Sequence, residues 1–240
     1  MEPTAGERPI LVVEDLEKTY SSGATAVAAL RGVSFELSRG DFVCLQGPSG
    51  CGKTTLLHLV GGMDRPTAGR VVLDGTELTG LREEELARVR RTRVGFVFPF
   101  FNLLPTLTVR ENVALPLLLG RTPRTAAEDE AATLLERVGL GARSTHLPGE
   151  LSGGEMQRAA VARAVVARPS VVLADEPTGS LDSENGRQVM ELLSELNRDL
   201  GITLIVASHS SEVASCARRR ILLRDGLLEK LVDEPGLGAS

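Results

Sequence analysis

Short apolar runs alternate with longer amphipathic stretches along most of the chain. ILVVED (10–15), VSFELS (33–38), DFVCLQ (41–46), RVVLDG (70–75), VGFVF (94–98), SVVLAD (170–175), ITLIVAS (202–208) and RILLRDG (220–226) read as strands. KTTLLHLVGG (53–62), EEELARVRR (83–91), RTAAEDEAATLLERVG (124–139), GEMQRAAVARAVVA (154–167) and ENGRQVMELLSELNRDLG (184–201) read as helices. In the last of these, Val189, Leu192, Leu193 and Leu196 form one apolar stripe. Alternation of this kind predicts an α/β fold with a mainly parallel sheet covered by helices. The early strands follow one another without long helices, so an antiparallel β part is expected near the N-terminus. The middle, about 80–165, is more helical than either flank and is expected to form a helical subdomain. The ends, 1–9 and 233–240, are expected to be loose around a single domain spanning 10–232.

Composition narrows the partners. The 240 residues are 42% hydrophobic and 25% charged, within the ordinary globular range. A net charge of −5 argues against a nucleic-acid binder working through a broad basic face, and no nucleic-acid partner is expected. The basic clusters Arg88–Arg93 and Arg218–Arg220 read as solvated surface. Cys44, Cys51 and Cys216 have no metal spacing and no even-numbered framework, which favours a reducing compartment. MEPTAGERP lacks the apolar core of a leader, and VALPLLLG (113–120) is far short of the roughly 18 residues a membrane helix needs. Any membrane association is expected to run through a partner.

GPSGCGKTT (Gly47–Thr55) fits G-x-x-x-x-G-K-[ST], and it stands between an apolar strand and a helix, the context that motif requires. Gly47, Gly50 and Gly52 let the backbone curl, so that the run Gly47, Pro48, Ser49, Gly50, Cys51, Gly52, Lys53, Thr54 and Thr55 can surround phosphate oxygens with N–H groups. Pro48 alone in this run supplies no backbone donor. Lys53 is placed to reach the β- and γ-phosphates and Thr54 to hold Mg²⁺. SVVLADEP (Ser170–Pro177) is an apolar strand ending in two carboxylates. With the phosphate loop upstream, Asp175 becomes a candidate Mg²⁺ ligand and Glu176 a candidate base for the attacking water.

LSGGE (Leu151–Glu155) opens another helix, with Ser152 as a candidate N-cap. Gly153 and Gly154 beside a helix N-terminus leave bare N–H donors. A domain with one complete phosphate loop does not need a second anion site, so Ser152, Gly153, Gly154 and Glu155 are expected to face the nucleotide of another copy.

These motifs together resemble the ATP-binding subunits of ABC transporters, and the resemblance covers about 11–231. GSLD (Gly179–Asp182) looks like the loop that meets the partner subunit, through Ser180, Leu181 and Asp182. VASHS (Val206–Ser210) places His209 like the family's switch histidine on the γ-phosphate. Tyr20, the only tyrosine of the chain, resembles the aromatic that stacks on adenine. The resemblance implies a P-loop NTPase core that binds ATP and Mg²⁺, and a head-to-tail dimer holding two ATP molecules. ATP closes this dimer, hydrolysis opens it, and the cycle drives an integral membrane permease from the cytoplasmic face. LVGGMDRPTAGRV, FNLLPTLTVRENV, LADEPTGSLDSENG and ILLRDG look most like the lipoprotein-release and macrolide-efflux group. Partners in that group have few membrane helices and large extracytoplasmic domains.

One position departs from the pattern. After VGFVF the family carries a Gln whose amide oxygen reaches Mg²⁺ and the attacking water; here the residue is Pro99. Proline offers no side-chain acceptor. The expectation is MgATP binding with slowed hydrolysis, or a site that the membrane partner completes. Phe96 and Phe98 share one strand face and are expected in the core. Phe100, Phe101, Leu103 and Leu104 lie past the strand and fit two roles, docking the permease or packing on the helical subdomain. Two rival functions stay open: a nucleotide-gated regulatory or structural subunit with little turnover, and a soluble ABC-type ATPase of repair or translation.

Overall fold

The side chains of three central strands alternate between two cores, and that alternation organises the molecule. The computed structural model describes residues 8–22 and 25–233. The expected loose ends therefore fall almost wholly outside the described residues. Strand β1 (Leu11–Ser22) pairs antiparallel with β2 (Thr25–Leu37). Then come β3 (Phe42–Gln46), helix α1 (Lys53–Val60), β4 (Ala68–Leu73), the short β5 (Thr76–Glu77), α2 (Glu83–Arg93) and β6 (Val94–Val97). The second half holds α3 (Val109–Leu119), α4 (Arg124–Arg137), α5 (Gly153–Val165), β7 (Val171–Asp175), α6 (Ser183–Leu200), β8 (Thr203–Ala207), α7 (Ser211–Cys216), β9 (Arg219–Arg224) and β10 (Leu227–Asp233).

The main sheet has the order β10-β9-β3-β8-β7-β6 and is parallel except for the β9–β10 hairpin. The smaller sheet, β2-β1-β4-β5, is antiparallel throughout, as the early run of strands predicts. Phe42, Cys44, Val172, Ala174, Leu204 and Val206 face the core shared with α3 to α6. Their neighbours Val43, Leu45, Val171, Leu173, Ile205 and Ala207 face the core shared with α1, α2 and the antiparallel sheet. Both faces are dry, which is why these strands read as unbroken apolar runs. Truncating a fully buried residue such as Leu173 to alanine would cost about 2–5 kcal/mol.

The stripe on α6 is buried as the spacing predicts, between an Asp182 N-cap and a left-handed Gly201. Two helices escape the pattern. VALPLLLG is the body of α3, despite Pro116 inside it. The proline removes one intrahelical N–H, but a capping box compensates at the start. Thr108 Oγ1 accepts from the Glu111 N–H at 3.2 Å, and Glu111 Oε2 accepts from the Thr108 N–H at 2.9 Å. The T-x-x-E of Thr108–Glu111 was the available signal. Helix α7 is only six residues long and is capped by Ser210. Strand β10 also goes unpredicted, although Asp225–Gly226, both at positive φ, mark the hairpin turn.

The stretch 80–165 is not helical throughout. Strand β6 lies within it and forms the edge of the main sheet, while α3, α4 and α5 pack on one another beyond it. Strand β6 also stops one residue early, at Val97 rather than Phe98. Val97 is the fully buried residue there. Both are half-buried: Phe96 packs against the second core, whereas Phe98 lies outside both cores, stacked on Phe96 at 5.5 Å between ring centres. The expectation of two core phenylalanines is therefore corrected for Phe98.

Candidate functional site

The C-terminal ends of β3, β7 and β8 share one edge of the sheet, where α/β folds place their ligand sites. The loop from Gly47 to Gly52 leaves β3 there. Gly52 stands at φ 107°, and a Cβ on it would meet the Ala29 carbonyl at 2.5 Å, so only glycine fits. Helix α1 opens on it with no side-chain cap, which leaves its first N–H groups for a ligand. Pro48, Ser49 and Gly50 are exposed at the tip, while the Cys51 side chain is buried in the second core and only its backbone faces the loop. Lys53 is buried, its ammonium donating to the carbonyls of Gly47 at 2.7 Å and Pro48 at 3.1 Å.

Thr54 Oγ1 donates to Asp175 Oδ2 at 2.8 Å, joining the loop to the end of β7. The next residue, Glu176, sits at φ 43°, with its N–H on the Ala207 carbonyl at 2.9 Å. Its carboxylate is oriented from two sides. Ser208 Oγ donates to Oε2 at 3.3 Å, and His209 Nδ1 lies 3.0 Å from Oε1. Thr54, Asp175, Glu176 and His209 are thus brought together as the sequence predicts. Ser208 is an addition; its place directly before His209 at the end of β8 was the signal.

The Tyr20 hydroxyl donates to Asp64 Oδ2 at 2.9 Å, and the Lys18 ammonium lies 4.8 Å from the ring centre. Lys18 also binds Asp64 at 2.8 Å. Burial pushes the Tyr20 phenol up, Thr55 draws it down and Asp64 pushes it up again. Burial raises the Asp64 carboxyl, but bonds from Lys18, the Arg65 N–H and Tyr20 outweigh it and hold it below the usual carboxylate range. The ring remains 42% exposed, so it is fixed in place with surface to spare.

The second candidate anion site is the start of α5. Ser152 caps it, its Oγ accepting from the Glu155 N–H at 3.3 Å, and Glu155 Oε2 accepts from the Ser152 N–H at 2.8 Å. Among the described residues no hydrogen bond links Ser152–Glu155 to the loop 47–55. A Cβ on Gly154 would overlap the Asn185 side chain. Asn185 in turn donates to Asp182 Oδ2 at 2.7 Å, and its N–H donates to the capping Oδ1 at 2.9 Å. Leu181 packs beside Gly153, and Gln157, fully buried, donates to the Pro177 carbonyl at 2.6 Å. The start of α5 is therefore fitted to 177–185, and among the described residues no hydrogen bond joins either to the phosphate loop. A groove of about 710 Å³ runs along this segment and reaches Glu176 and His209.

The turn after β6 departs most from expectation. Ser180 Oγ donates to the Pro99 carbonyl at 3.1 Å. Phe101 and Asn102 both adopt positive φ, 61° and 49°. Their carbonyls accept from the Arg163 guanidinium, whose pKa burial lowers. Asn112, fully buried, accepts from the Leu104 N–H at 2.7 Å, and its amide shares its two protons among the carbonyls of Leu104, Leu107 and Thr108, each 3.0 Å from Nδ2. Of the four candidate docking residues, Phe100 (78% exposed) and Leu104 (44%) face outward. Leu103 packs against the helical core and Phe101 turns toward Gly153, so these two take the packing role instead. Neither Arg163 nor Asn112 was singled out by the sequence.

Known proteins of similar sequence and fold identify the family. A family model described as ABC transporter matches residues 30–179. The lipoprotein-releasing system ATP-binding protein LolD of Syntrophus aciditrophicus is 46% identical over 217 residues, 90% of this chain and 97% of that protein. The macrolide export ATP-binding/permease protein MacB of Bdellovibrio bacteriovorus is 45% identical over 217 residues, but the chain spans only 33% of its length. Among solved structures, a dimeric post-hydrolysis state of an ATP-binding cassette bound to ADP and Pi superposes with a TM-score of 0.87. It is 39% identical, and the match covers 95% of this chain and 100% of that one.

Proposed function

The chain belongs to the ABC transporter family and is an ATPase of it, and from that premise we propose that Gly47–Thr55, Asp175, Glu176 and His209 form its hydrolytic site. The observation that carries the assignment is the Thr54–Asp175 hydrogen bond with the Glu176–His209 pair one residue on. Backbone N–H groups at the uncapped start of α1 cradle the phosphates, and the Lys53 ammonium adds charge beside them. The Thr54 hydroxyl and Asp175 carboxylate are hard oxygen donors, the set that suits Mg²⁺. Bound there, the ion would neutralise charge on the β- and γ-phosphates.

Glu176 takes the proton of the attacking water. Ser208 and His209 fix its orientation, and positioned bases of this kind contribute roughly 10²–10⁴-fold. His209 reaches Glu176 through Nδ1, which leaves Nε2 for a γ-phosphate oxygen. Tyr20 stacks on the base. Ser152–Glu155 and Ser180–Asp182 serve the ATP of a second copy, so two ATP molecules lie between two subunits. Losing a γ-phosphate held by both copies would release the closed state.

The work goes to a membrane permease. Among the described residues no helix is long and apolar enough to cross a membrane. LolD is named as the ATP-binding part of a releasing system, and MacB joins ATP-binding and permease functions. We assign Phe100 and Leu104 to contact with a permease of that group, few-helixed with a large extracytoplasmic domain, at the cytoplasmic membrane face.

Pro99 favours one variant of this reading, a nucleotide-gated subunit with low intrinsic turnover. Its carbonyl is the acceptor the turn does offer, and Ser180 already occupies one side of it. Steady-state ATPase of the natural protein and Pro99→Gln, each with and without permease, tests this. Pro99→Gln should raise the rate of the isolated subunit several-fold, on the order of one added hydrogen bond to the reacting groups. Equal rates in all four conditions would remove Pro99 from the account.

A further inference from the structure

The turn that is expected to meet a second copy's triphosphate carries a carboxylate of its own. Glu155 is the third residue of α5, where a negative charge stabilises the helix by meeting the partial positive charge of its N-terminus. An incoming phosphate would draw on that same partial charge. Capping and anion binding therefore compete at this turn. The donors left over are the N–H groups of Gly153 and Gly154 and the proton of the Ser152 hydroxyl, because Glu155 Oε2 occupies the Ser152 N–H and Ser152 Oγ accepts from the Glu155 N–H.

The remaining carboxylate oxygen has a cationic partner. Arg143 Nε lies 3.2 Å from Glu155 Oε1. Arg143 ends the 3-10 turn Gly141–Arg143, and its segment is tied to α3 by two backbone bonds, Val109 N–H to the His146 carbonyl and Arg110 N–H to the Ser144 carbonyl. The fold thus fixes the backbone from which Arg143 reaches Glu155, while the Arg143 side chain itself is half-exposed. The Glu155 side chain is only 19% exposed, so its charge is felt at the turn.

We propose that Arg143 is an electrostatic positioning residue for this half-site: it offsets the Glu155 carboxylate and pins it to the Ser152 N–H, so that the free donors present a positive field to the triphosphate of a second copy. The proposal rests on the reading of Ser152–Glu155 given under Proposed function. Arg143 need not touch the nucleotide. Removing it would expose an uncompensated negative charge one turn from a polyanion, a cost that salt screens.

The test uses the full chain carrying Glu176→Gln, so that turnover does not consume closed dimers. Dimer fraction is followed by sedimentation against MgATP concentration at low and high NaCl. Arg143→Ala should raise the ATP needed for half-dimerisation about tenfold at low salt and clearly less at high salt. Arg143→Lys should stay close to the parent. Glu155→Gln, which keeps the capping box, should make Arg143→Ala nearly silent. An equal penalty from Arg143→Ala with and without Glu155→Gln would overturn the offset, because Arg143 would then act directly or only as scaffold. So would no penalty in either background. No ATP-driven dimer in the parent would overturn the half-site reading itself, and the proposal with it.

Discussion

Strands β7 and β6 are neighbours in one sheet, yet their C-terminal ends are held by different means. At β7 the proposed chemistry begins on the last residue of the strand. Asp175 is still in register with Ala207 of β8, and Glu176 donates its N–H to the Ala207 carbonyl. At β6 the ladder ends at Val97, and the chain then runs through Pro99 and two left-handed residues before α3. Side chains from three elements hold that turn: Arg163 from α5, Asn112 from the α3 that follows and Ser180 from the segment before α6. A backbone ladder sets the main chain under the proposed hydrolytic carboxylates, and Ser208 and His209 then orient Glu176. Side-chain tethers set the Pro99 turn, so single substitutions can move it.

The largest expected effect lies on the ladder side. Glu176→Gln should lower steady-state ATPase by roughly 10²–10⁴-fold while leaving ATP binding and the unfolding midpoint close to the parent. The amide keeps the side chain's size and its bond from Ser208 but cannot take the proton. A loss below about tenfold would shift the base role away from Glu176.

Asn112→Ala should give the largest stability effect on the tethered side. It strands the Leu104 N–H and weakens three carbonyl contacts in a site with no access to water. A cost of about 2–3 kcal/mol in urea unfolding is expected, with ATPase falling further than the folded fraction accounts for. A cost below about 0.5 kcal/mol would mean that the turn holds itself.

The same division explains what could be read in advance. Both faces of the parallel strands are buried, so SVVLAD and ITLIVAS announce themselves as runs, and the catalytic candidates follow at their ends. The phosphate loop is legible because its glycines and Lys53 act within nine consecutive residues, Gly47–Thr55. Helix α3 was hidden by Pro116, which argues locally against a helix that tertiary packing and a capping box sustain. Arg163 and Asn112 were hidden because each acts on a backbone carbonyl or N–H of another segment, and nothing in their own neighbourhoods marks that. Phe101 and Leu103 looked like their exposed neighbours because the twist of the turn, set by those two side chains, decides which residues face inward.

Ser180→Ala is the smallest effect and the sharpest probe of the boundary between the two sides. Ser180 is exposed, so the change should move stability by no more than about 0.5 kcal/mol. Its hydroxyl is, however, the bond that ties the segment after Glu176 to the carbonyl of Pro99. Losing a hydrogen bond of about 0.5–1 kcal/mol should lower ATPase two- to fivefold through poorer placement of the turn. The decisive comparison is with Pro99→Gln. If the turn and the ladder communicate through this bond, the two substitutions together should depart from the product of their separate effects, because the new Gln side chain would act from the turn that the Ser180 bond positions. Independent effects would place the Pro99 turn outside the hydrolytic site and leave it only the exposed Phe100 and Leu104 as its contribution.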